Sequence, residues 1–494
     1  MTQPTLSKSR FQSGLQCLKR LYLESYQSEL ADPVGEALQA IFDAGTAVGE
    51  LARRRWPDGR LVEAPYNEHD EAAAATQALL ASPEPPALFE AAFTFENIRV
   101  RVDVLAPNGR GGFDLVEVKS TGSVKPQHIT DAAIQAYVVE GSGLRIDRVF
   151  IMHLDKSYVY PGGEHDLERL FALDDVTDDA RSFMAEELPG TLPPMWEALS
   201  LDAPPEIATG PHCTDPYRCP FYGRCHSGGP EHPVRQLPWL KDELRLRLKD
   251  AGIDDIAAIP PDFHGLNPLQ RRVRDCVAAG RPFVGAELGP KLRNIAFPMS
   301  FIDFETIMPA VPVYIGTRPF TMVPFQWSLH IRGVSGALAH REFLNDDAGD
   351  PRERLAAALL DALPPSGAIV AYSGYEEVVF GKLAEALPRY REALLALTGR
   401  IVDLLRIVRE GYYHPGFHGS FSIKAVLPAV VPELGYDDLQ IADGQMASVA
   451  YLRMIAPETP DAERAEIRQA LLAYCRRDTE AMVRVYEALL GECG

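Results

Sequence analysis

The stretch His212–Cys225 (HCTDPYRCPFYGRC) constrains the fold of this chain more than any other feature. Three of the seven cysteines, Cys213, Cys219 and Cys225, lie in it at an even six-residue step. The stretch also contains two prolines and a glycine, so we expect a loop, and regularly spaced thiols on a loop indicate a metal-binding knuckle. Cys17 is the best fourth ligand, because the remaining cysteines lie in or beside helix-like patterns. The chain from Cys17 to Cys225 is therefore predicted to form one closed unit, followed by a second body.

Length and composition agree with this division. A chain of 494 residues is too long for one core and suggests two or three domains. It has no run of about 18 apolar residues and its N-terminus is polar, so we expect neither a membrane-spanning helix nor a signal peptide. We therefore expect a cytoplasmic protein, whose thiols stay reduced and available to metals.

The net charge of −20 argues against a protein that coats nucleic acid. It is compatible with an enzyme acting on nucleic acid, because metal-binding carboxylates are themselves acidic and a basic groove can be local. The chain lacks a Gly-rich loop of the GxxxxGK[ST] type, so nothing indicates an NTP-driven motor.

Charged residues interrupt the apolar strands predicted in the first half of the chain. Asp103 lies in VRVDVL, and Glu117 and Lys119 lie in DLVEVKS, where alternation puts both side chains on one face of the strand. A charge in an apolar strand is costly unless it serves a metal or a partner. Two carboxylates can hold Mg²⁺ or Mn²⁺ beside an ammonium group that orients water, while an exposed ion pair is the alternative reading.

Asp103, Glu117-Val118-Lys119 and Gln135 in the following helix resemble the PD-(D/E)XK nucleases of the RecB type. The cysteines on either side of this core resemble the subgroup that includes CRISPR-adaptation nucleases and the AddB subunit, in which a [4Fe–4S] cluster pins the nuclease domain. The resemblance implies that Cys17 and the three knuckle cysteines hold the cluster; a structural zinc ion is the alternative. This chain has Val48-Gly49-Glu50 where that family usually carries a histidine, and Tyr137 follows Gln135 by two positions rather than four.

A second set of acidic residues begins in the strand predicted at 299–306 (MSFIDFET). Asp303 and Glu305 alternate with apolar residues and therefore emerge on one face, which suits a pair of Mg²⁺ ions. Near the end of the chain, Tyr474 and Asp478 are four residues apart in a long predicted helix, so they lie one turn apart on one face.

These residues resemble the DnaQ-like exonucleases of the DEDDy type, which have a ribonuclease-H-like fold. Asp303 and Glu305 match the first motif of that family, and Tyr474 with Asp478 match the third. Glu376 lies at the second motif, where the family usually has aspartate. The resemblance also implies a contribution from Asp403 and a phosphate contact from Lys424.

We therefore expect an α/β protein with a PD-(D/E)XK restriction-endonuclease-like domain at residues 1–230, a helical connector at 231–296 and a ribonuclease-H-like domain at 297–494. The expected activity is metal-dependent hydrolysis of nucleic acid, with DNA favoured, on single strands or free ends, in DNA repair or defence. The resemblance implies 3′→5′ exonuclease action at the second site. The alternative is a scaffold that binds nucleic acid, in which the cluster is structural and one or both sites have decayed. The sequence identifies no protein partner.

Overall fold

The computed structural model of the protein describes residues 4–65 and 67–493. It confirms the expected α/β class. The chain forms two compact units. The N-terminal unit extends to Ser227 and includes the segment Pro309–Thr321, and the C-terminal unit comprises Gly228–Met308 and the chain from Met322 onward.

The N-terminal unit contains a seven-stranded mixed sheet in the order β2-β3-β4-β5-β6-β7, with β1 paired to β4. Its strands are β1 (Leu6–Ser7), β2 (Arg60–Leu61), β3 (Leu88–Phe95), β4 (Ile98–Pro107), β5 (Phe113–Lys119), β6 (Ile146–Leu154) and β7 (Phe171–Asp175). β3, β4 and β5 are antiparallel neighbours, whereas β5 and β6 are parallel. The parallel pair is joined by a helix that crosses one face of the sheet, as such a connection requires.

The helices of this unit are α1 (Lys8–Gln16), α2 (Leu18–Tyr26), α3 (Glu36–Arg53), α4 (His69–Leu80), α5 (Pro126–Gly141), α6 (Leu167–Leu170), α7 (Thr177–Ser182), α8 (Leu188–Ser200) and α9 (Tyr222–Cys225). A π-helical turn at Phe183–Glu187 joins α7 to α8. The crossover helix is α5, and its small and β-branched side chains, such as Ala132, Ala136 and Val139, are fully buried in the main core. This burial brings one side of α5 onto β5.

The C-terminal unit is built on a five-stranded sheet in the order β11-β10-β9-β12-β13. The strands of this unit are β8 (Phe283–Val284), β9 (Met299–Ile307), β10 (Val323–Arg332), β11 (Leu338–Leu344), β12 (Ile369–Ala371), β13 (Ile401–Asp403) and β14 (Tyr412–Tyr413). β9, β10 and β11 are antiparallel, whereas β9, β12 and β13 run parallel. β8 and β14 form a separate two-stranded ribbon.

The helices of this unit are α10 (Asp242–Asp250), α11 (Pro268–Ala279), α12 (Leu288–Arg293), α13 (Arg352–Ala362), α14 (Tyr375–Ala386), α15 (Arg391–Thr398), α16 (Leu404–Gly411), α17 (Ile423–Val430), α18 (Gly444–Ile455) and α19 (Asp461–Gly491). The 31-residue helix α19 packs on the sheet. Gln326 on β10 fixes this packing by donating a hydrogen bond of 2.8 Å to the carbonyl of Leu471.

The segment expected as a separate connector, 231–296, packs into the core of the C-terminal unit. Buried side chains of this segment, including Leu248, Val273 and Leu292, share one hydrophobic cluster with Val485 and Leu489 of α19. Burial of these apolar side chains against the last helix gives the segment the same core as the sheet.

In the part of the chain that the structure describes, no helix combines the length and the apolar character needed to cross a bilayer.

Candidate functional site

Two carboxylates of β9, the central strand of the C-terminal sheet, lie at the end of the sheet where the parallel strands terminate. β12 pairs Ile369 with Ser300 and Val370 with Phe301, so β9 continues past its neighbour just where Asp303 and Glu305 begin. The pairing of β9 with β10 shifts register beside Glu305. Such a bulge redirects side chains locally and is frequent next to active sites. Ligands of open α/β sheets bind at this end of the strands.

Helix α19 places Tyr474, Cys475 and Asp478 at the same end of these strands. All three side chains are buried. The Sγ of Cys475 lies 3.8 Å from the carbonyl oxygen of Asp303 and 3.7 Å from its Oδ2. Ligand atoms of Cys475, Asp303 and Glu305 all lie within 4.8 Å of one another, which is a spacing that one metal ion can bridge.

Glu376, in the first turn of α14, supplies another carboxylate. Its side chain is 3% exposed, and among the described residues no group donates a hydrogen bond to Oε2. Burial raises the pKa of Glu376 to about 7, with a further contribution from the charge of Asp403. A buried carboxylate oxygen without a donor is costly, so this oxygen is available to a cation.

These groups face one pocket of about 650 Å³. The chemistry-bearing residues that line it are Asp303, Glu305, Glu376, Lys424, Tyr474 and Asp478. The structure thus brings together every residue of the second predicted site except Asp403.

Burial, reinforced by mutual repulsion, sets the electrostatics of this pocket. Burial, followed by the charge of Asp478, raises the pKa of both Asp303 and Glu305 well above the ordinary range. Burial also raises the pKa of Asp478. Carboxylates that crowd one another away from water need a compensating positive charge, and oxygen ligands of this kind suit Mg²⁺ or Mn²⁺. The donor set therefore fits hard divalent cations.

Tyr436 and the pocket residue Lys424 form hydrogen bonds with the aspartate and the tyrosine of α19. The hydroxyl of Tyr436 donates a hydrogen bond of 2.6 Å to Oδ1 of Asp478. Lys424, on α17, donates to the hydroxyl of Tyr474 at 3.2 Å and to the carbonyl of Ala442 at 2.5 Å. The sequence reasoning named Lys424 as a phosphate contact but missed Tyr436, because a lone tyrosine in a loop carries no spacing signal.

Asp403 has a different local role. It ends β13, and its Oδ1 accepts a hydrogen bond of 3.0 Å from the backbone N–H of Arg406, so it caps the N-terminus of α16. It lines a neighbouring pocket of about 530 Å³. The structure therefore keeps Asp403 close to Glu376 without bringing it into the carboxylate pocket.

The first predicted site lies on β4, β5 and α5 of the N-terminal unit. Lys119 donates to Oε1 of Glu117 at 2.6 Å, and Gln135 donates to Oε2 of Glu117 at 2.7 Å. Oδ2 of Asp103 accepts a hydrogen bond of 2.8 Å from the backbone N–H of Val118. All four predicted residues thus belong to one connected group.

Sequence reasoning missed two members of this group, Lys8 and Asp131. Lys8, the first residue of α1, donates to Oε1 of Glu117 at 3.0 Å and lies 4.0 Å from Oδ2 of Asp131. Lys119 also pairs with Asp131. Asp131 precedes Gln135 by one helical turn, so the helical period of α5 was the signal that would have found it. Lys8 is too remote in sequence to leave such a signal.

The ammonium groups of Lys8 and Lys119 affect the pKa values of the carboxylates in this group. Burial alone would raise the pKa of Glu117, but the charges of Lys119 and Lys8 lower that pKa well below its usual range. Burial and the charge of Glu117 raise the pKa of Asp103 to about 7. Glu117 is therefore held as a carboxylate, while Asp103 is the group that gains most from a nearby cation.

A pocket of about 260 Å³ opens beside Asp103 and Glu117. Gly45 and Gly49 of α3 line it, and Gly49 lies in the segment where the resemblance led us to expect a histidine. Glu90 also lines it and forms an ion pair of 2.7 Å with Arg53. Glu90 has a φ of 57°, unusual for a residue within a strand.

The four cysteines predicted as ligands line one small pocket. Cys17, between α1 and α2, faces Cys213, Cys219 and Cys225 of the knuckle. All seven cysteines of the chain are free thiols in the structure. The chain's two distant segments therefore meet at their thiols.

Gln16, which sequence reasoning missed, ties these segments together. Its side-chain amide donates to the backbone carbonyls of His212, Asp215 and Tyr217 at 2.6, 3.2 and 2.7 Å. Nearby, the backbone N–H of Gly223 donates to Asp32 at 2.9 Å. The knuckle is thus fixed to the N-terminal helices by hydrogen bonds next to the cysteines.

The spacing of the thiols exceeds that of a single small ion. Among the described residues, the one group of three potential ligand atoms lying mutually within 4.8 Å is that of Asp303, Glu305 and Cys475. A zinc ion with Zn–S bonds of about 2.3 Å would hold its four sulfurs roughly 3.8 Å apart. The four thiols are therefore spaced more widely than the ligands of one zinc ion.

Comparison with known sequence families matches residues 300–422 to a family described as Domain of unknown function (DUF2779). The matched segment begins in β9 and ends after β14, so it contains Asp303, Glu305 and Glu376 but neither Tyr474 nor Asp478. No curated protein matches the chain.

Proposed function

We propose that the C-terminal unit is a metal-dependent exonuclease that hydrolyses phosphodiester bonds from the 3′ end of a nucleic-acid strand. The observation that carries this proposal is the convergence of four carboxylates in one pocket with Tyr474: the half-buried Asp303 and the buried Glu305, Glu376 and Asp478. The pocket is wide enough for the end of a strand, since its volume is about 650 Å³. The 3′→5′ direction comes from the resemblance to the DEDDy exonucleases.

The residues of the pocket have separate tasks in this reaction. Asp303, Glu305, Glu376 and Asp478 would hold the divalent cations. Tyr474, at the pocket wall, orients the attacking water through its hydroxyl, and Lys424 holds that hydroxyl at 3.2 Å. When bound, a pair of Mg²⁺ or Mn²⁺ ions supplies a more acidic water and stabilises the charge on the attacked phosphate.

The strand order gives independent support. Three antiparallel strands followed by two parallel strands, with β9 in the centre, are the arrangement expected of a ribonuclease-H-like sheet. The carboxylates of β9 lie at its centre, where they reach the ends of the neighbouring parallel strands. Fold likeness alone does not define an activity, so the proposal depends on the pocket.

We further propose that the N-terminal unit is a nuclease module of the RecB type. In it, Asp103 and Glu117 hold a divalent cation and Lys119 assists the attacking water, with Gln135 orienting Glu117. The support is that Lys119 and Gln135 both donate to Glu117, while Asp103 accepts from the backbone N–H of Val118 beside them. Asp103, with its pKa raised to about 7, is the residue that a cation would stabilise most.

The four thiols would hold a [4Fe–4S] cluster. Cysteine thiolates are the ligands of such clusters, and the pocket contains four of them at a spacing wider than that of zinc. The cluster would join the start of the unit to its end and so stabilise the fold. Its formation requires the reducing conditions of the cytoplasm.

One observation favours a second candidate for the N-terminal unit, a module that binds nucleic acid without cutting it. Both oxygens of Glu117 already accept hydrogen bonds, from Lys8 and Lys119 on one oxygen and from Gln135 on the other. A cation at Glu117 must therefore displace protein donors. With α3 contributing glycines at the expected histidine position, this arrangement suits a decayed site.

DNA is the favoured substrate and repair or defence the favoured setting, because the two resemblances point to such enzymes. The test is release of nucleotides from matched DNA and RNA strands by the full-length protein, with Mg²⁺, with Mn²⁺ and with EDTA. We expect metal-dependent release that Glu376→Gln reduces and Glu377→Gln leaves unchanged. Glu377 is the matched control because it follows Glu376 directly and is exposed. Release that persists in EDTA, or that both variants reduce equally, contradicts the proposal.

A further inference from the structure

Trp239 is an unusually exposed aromatic residue of the C-terminal unit. Its side chain is 62% exposed, although tryptophan is highly buried on average. Its backbone has a φ of 50°, which a bulky side chain rarely adopts. The preceding carbonyl, that of Pro238, accepts a hydrogen bond of 2.8 Å from Gln270, so the chain is held in place at this point. Strain that neighbouring residues maintain, at a side chain that packing does not need, is typical of a functional position.

Arg409 lies against Trp239. Its guanidinium carbon is 5.3 Å from the centre of the tryptophan ring and 5.9 Å from the ring of Phe421. Among the described residues, no carboxylate forms an ion pair with Arg409 within 4.0 Å, and its Nε is buried without a hydrogen-bond partner. In a chain with 69 acidic and 49 basic residues, an arginine placed between two rings and left without a carboxylate is available to an anion.

These residues connect directly to the carboxylate pocket. Phe421 is followed by Ser422, Ile423 and Lys424, all of which line that pocket. On the other side, Arg409 follows Leu405 by one turn of α16, and Leu405 lines the same pocket. The ring of Phe421 and the guanidinium of Arg409 thus belong to the two chain segments that line one side of the pocket, and Trp239 lies against Arg409.

The surface beyond Trp239 continues as a pocket of about 240 Å³. Lys241 and Arg247 line it, with Glu243 as its acidic member. Arg247 comes close to Gly265, whose φ of 102° and lack of a side chain leave room for the guanidinium. An exposed aromatic ring among cations is the usual platform for a single strand, because bases stack on the ring while cations meet the phosphates.

We propose that Trp239 and Arg409 form a binding subsite for single-stranded nucleic acid, in which an unpaired base stacks on Trp239 and Arg409 pairs with an adjacent phosphate. This subsite rests on the proposed exonuclease function, for which it would hold the strand upstream of its 3′ end. It is not sequence-specific, since every base offers a flat face.

The test measures binding of a fluorescein-labelled single-stranded DNA to the full-length protein by anisotropy in Mg²⁺. The protein carries Asp303→Ala so that the strand is not consumed. We expect Trp239→Gly and Arg409→Ala each to weaken binding by between about fivefold and about a hundredfold, the range measured for loss of a stacked base. Trp239→Phe should retain most of the affinity. Arg409→Ala should also make the plot of log affinity against log salt concentration less steep by about one unit, because one phosphate contact is lost.

Two controls separate recognition of the strand from maintenance of the fold. Arg389→Ala removes another exposed arginine, whose guanidinium lies 5.3 Å from the ring of Tyr390, and should leave binding unchanged. Trp239→Gly relieves the positive φ, so its thermal unfolding temperature should equal or exceed that of the parent.

Unchanged affinity in Trp239→Gly overturns the subsite. So does a loss of affinity in Trp239→Gly that comes with a lower unfolding temperature, if Trp239→Phe loses affinity as well. A parent protein that binds no strand also overturns it. Nucleotide release by the protein with intact Asp303 is scored separately, so failure of the subsite is distinguishable from failure of the exonuclease proposal.

Discussion

The hydroxyl of Tyr436 lies 2.6 Å from Oδ1 of Asp478 and donates a hydrogen bond to it. Burial, then the charge of Asp478, raises the pKa of Tyr436 well above its ordinary range, so the phenol stays protonated and remains a donor. One oxygen of Asp478 is thus held by the protein. The orientation of this carboxylate is set before any ligand arrives.

Removal of this donor should therefore weaken the proposed exonuclease. Tyr436→Phe is expected to lower kcat by about tenfold, since a hydrogen bond to a charged group contributes roughly 1.5–3 kcal/mol. The measurement is nucleotide release at saturating strand. Tyr412→Phe is the control, because Tyr412 is a buried tyrosine of the same hydrophobic core that lies in the ribbon with β8 rather than beside Asp478. If both variants lost the same fraction of kcat, the effect would come from core packing and not from the hydrogen bond to Asp478.

Cys17 should be essential to the predicted cluster. Protein purified without oxygen is expected to be brown, with iron and sulfide bound, and Cys17→Ala should lose both the colour and the thermal stability of the N-terminal unit. Cys493→Ala is the control, since Cys493 lies at the other end of the chain and does not line the thiol pocket. Stoichiometric zinc without iron would refute the iron–sulfur cluster and support the zinc alternative.

Lys119 tests whether the N-terminal unit cuts nucleic acid. In a full-length protein with Asp303→Ala, any remaining metal-dependent hydrolysis is attributed to this unit. Lys119→Ala should lower that remainder by about a hundredfold or more, as for other charge partners of a transition state. The protein should stay folded, because Lys8 still pairs with Glu117 and lies near Asp131. The control is the exposed Lys125→Ala.

If the Asp303→Ala protein hydrolyses no strand even before the lysine is changed, the N-terminal site is inactive. That outcome would favour the binding module over the nuclease.

His330 and His340 should make the stability of the C-terminal unit depend on pH. Burial lowers the pKa of each to about 4, and Arg476 on α19 adds to the effect. An unfolded histidine titrates near 6.5, so the neutral rings stabilise the fold above that pH. This contribution is lost as the pH falls from about 6.5 toward about 4, because the unfolded chain then binds protons that the folded chain excludes.

The measurement is the free energy of unfolding by denaturant at several pH values in this range. His330→Gln keeps a donor for the hydroxyl of Thr479, which lies 2.8 Å from Nδ1 of His330, but cannot titrate. Its unfolding free energy should therefore fall less on acidification than that of the unmodified protein. Parallel pH profiles would contradict the assignment.

Alternation and helical spacing predicted most of the fold. The strand expected at 299–306 is confirmed at Met299–Ile307, where two carboxylates alternate with apolar residues. The same periodicity predicted that Asp303 and Glu305 share a face, and both line one pocket. These features could be predicted from the sequence because each depends only on neighbouring residues within one strand.

Contacts between distant segments were beyond the reach of such patterns. Lys8 meets Glu117 across 109 positions, and Gln16 meets His212 across 196. The return of Pro309–Thr321 to the N-terminal unit likewise leaves no periodic signal. Asp403 shows the opposite case, since a suggestive position in sequence proved to be the cap of α16. Tertiary packing decides the first three, whereas the cap at Asp403 is a local contact.

The most direct test of the central claim uses a strand labelled at its 5′ end and the full-length protein with Lys119→Ala, digested with Mg²⁺ or Mn²⁺. We expect a ladder of labelled products that shortens stepwise from the 3′ end. Asp303→Ala should abolish it, because the site would lose one of the carboxylates that hold the cations. Asp346→Ala, at an exposed aspartate of the same unit, should leave the ladder intact. Immediate release of short 5′-labelled products, or full activity in Asp303→Ala, would contradict the account.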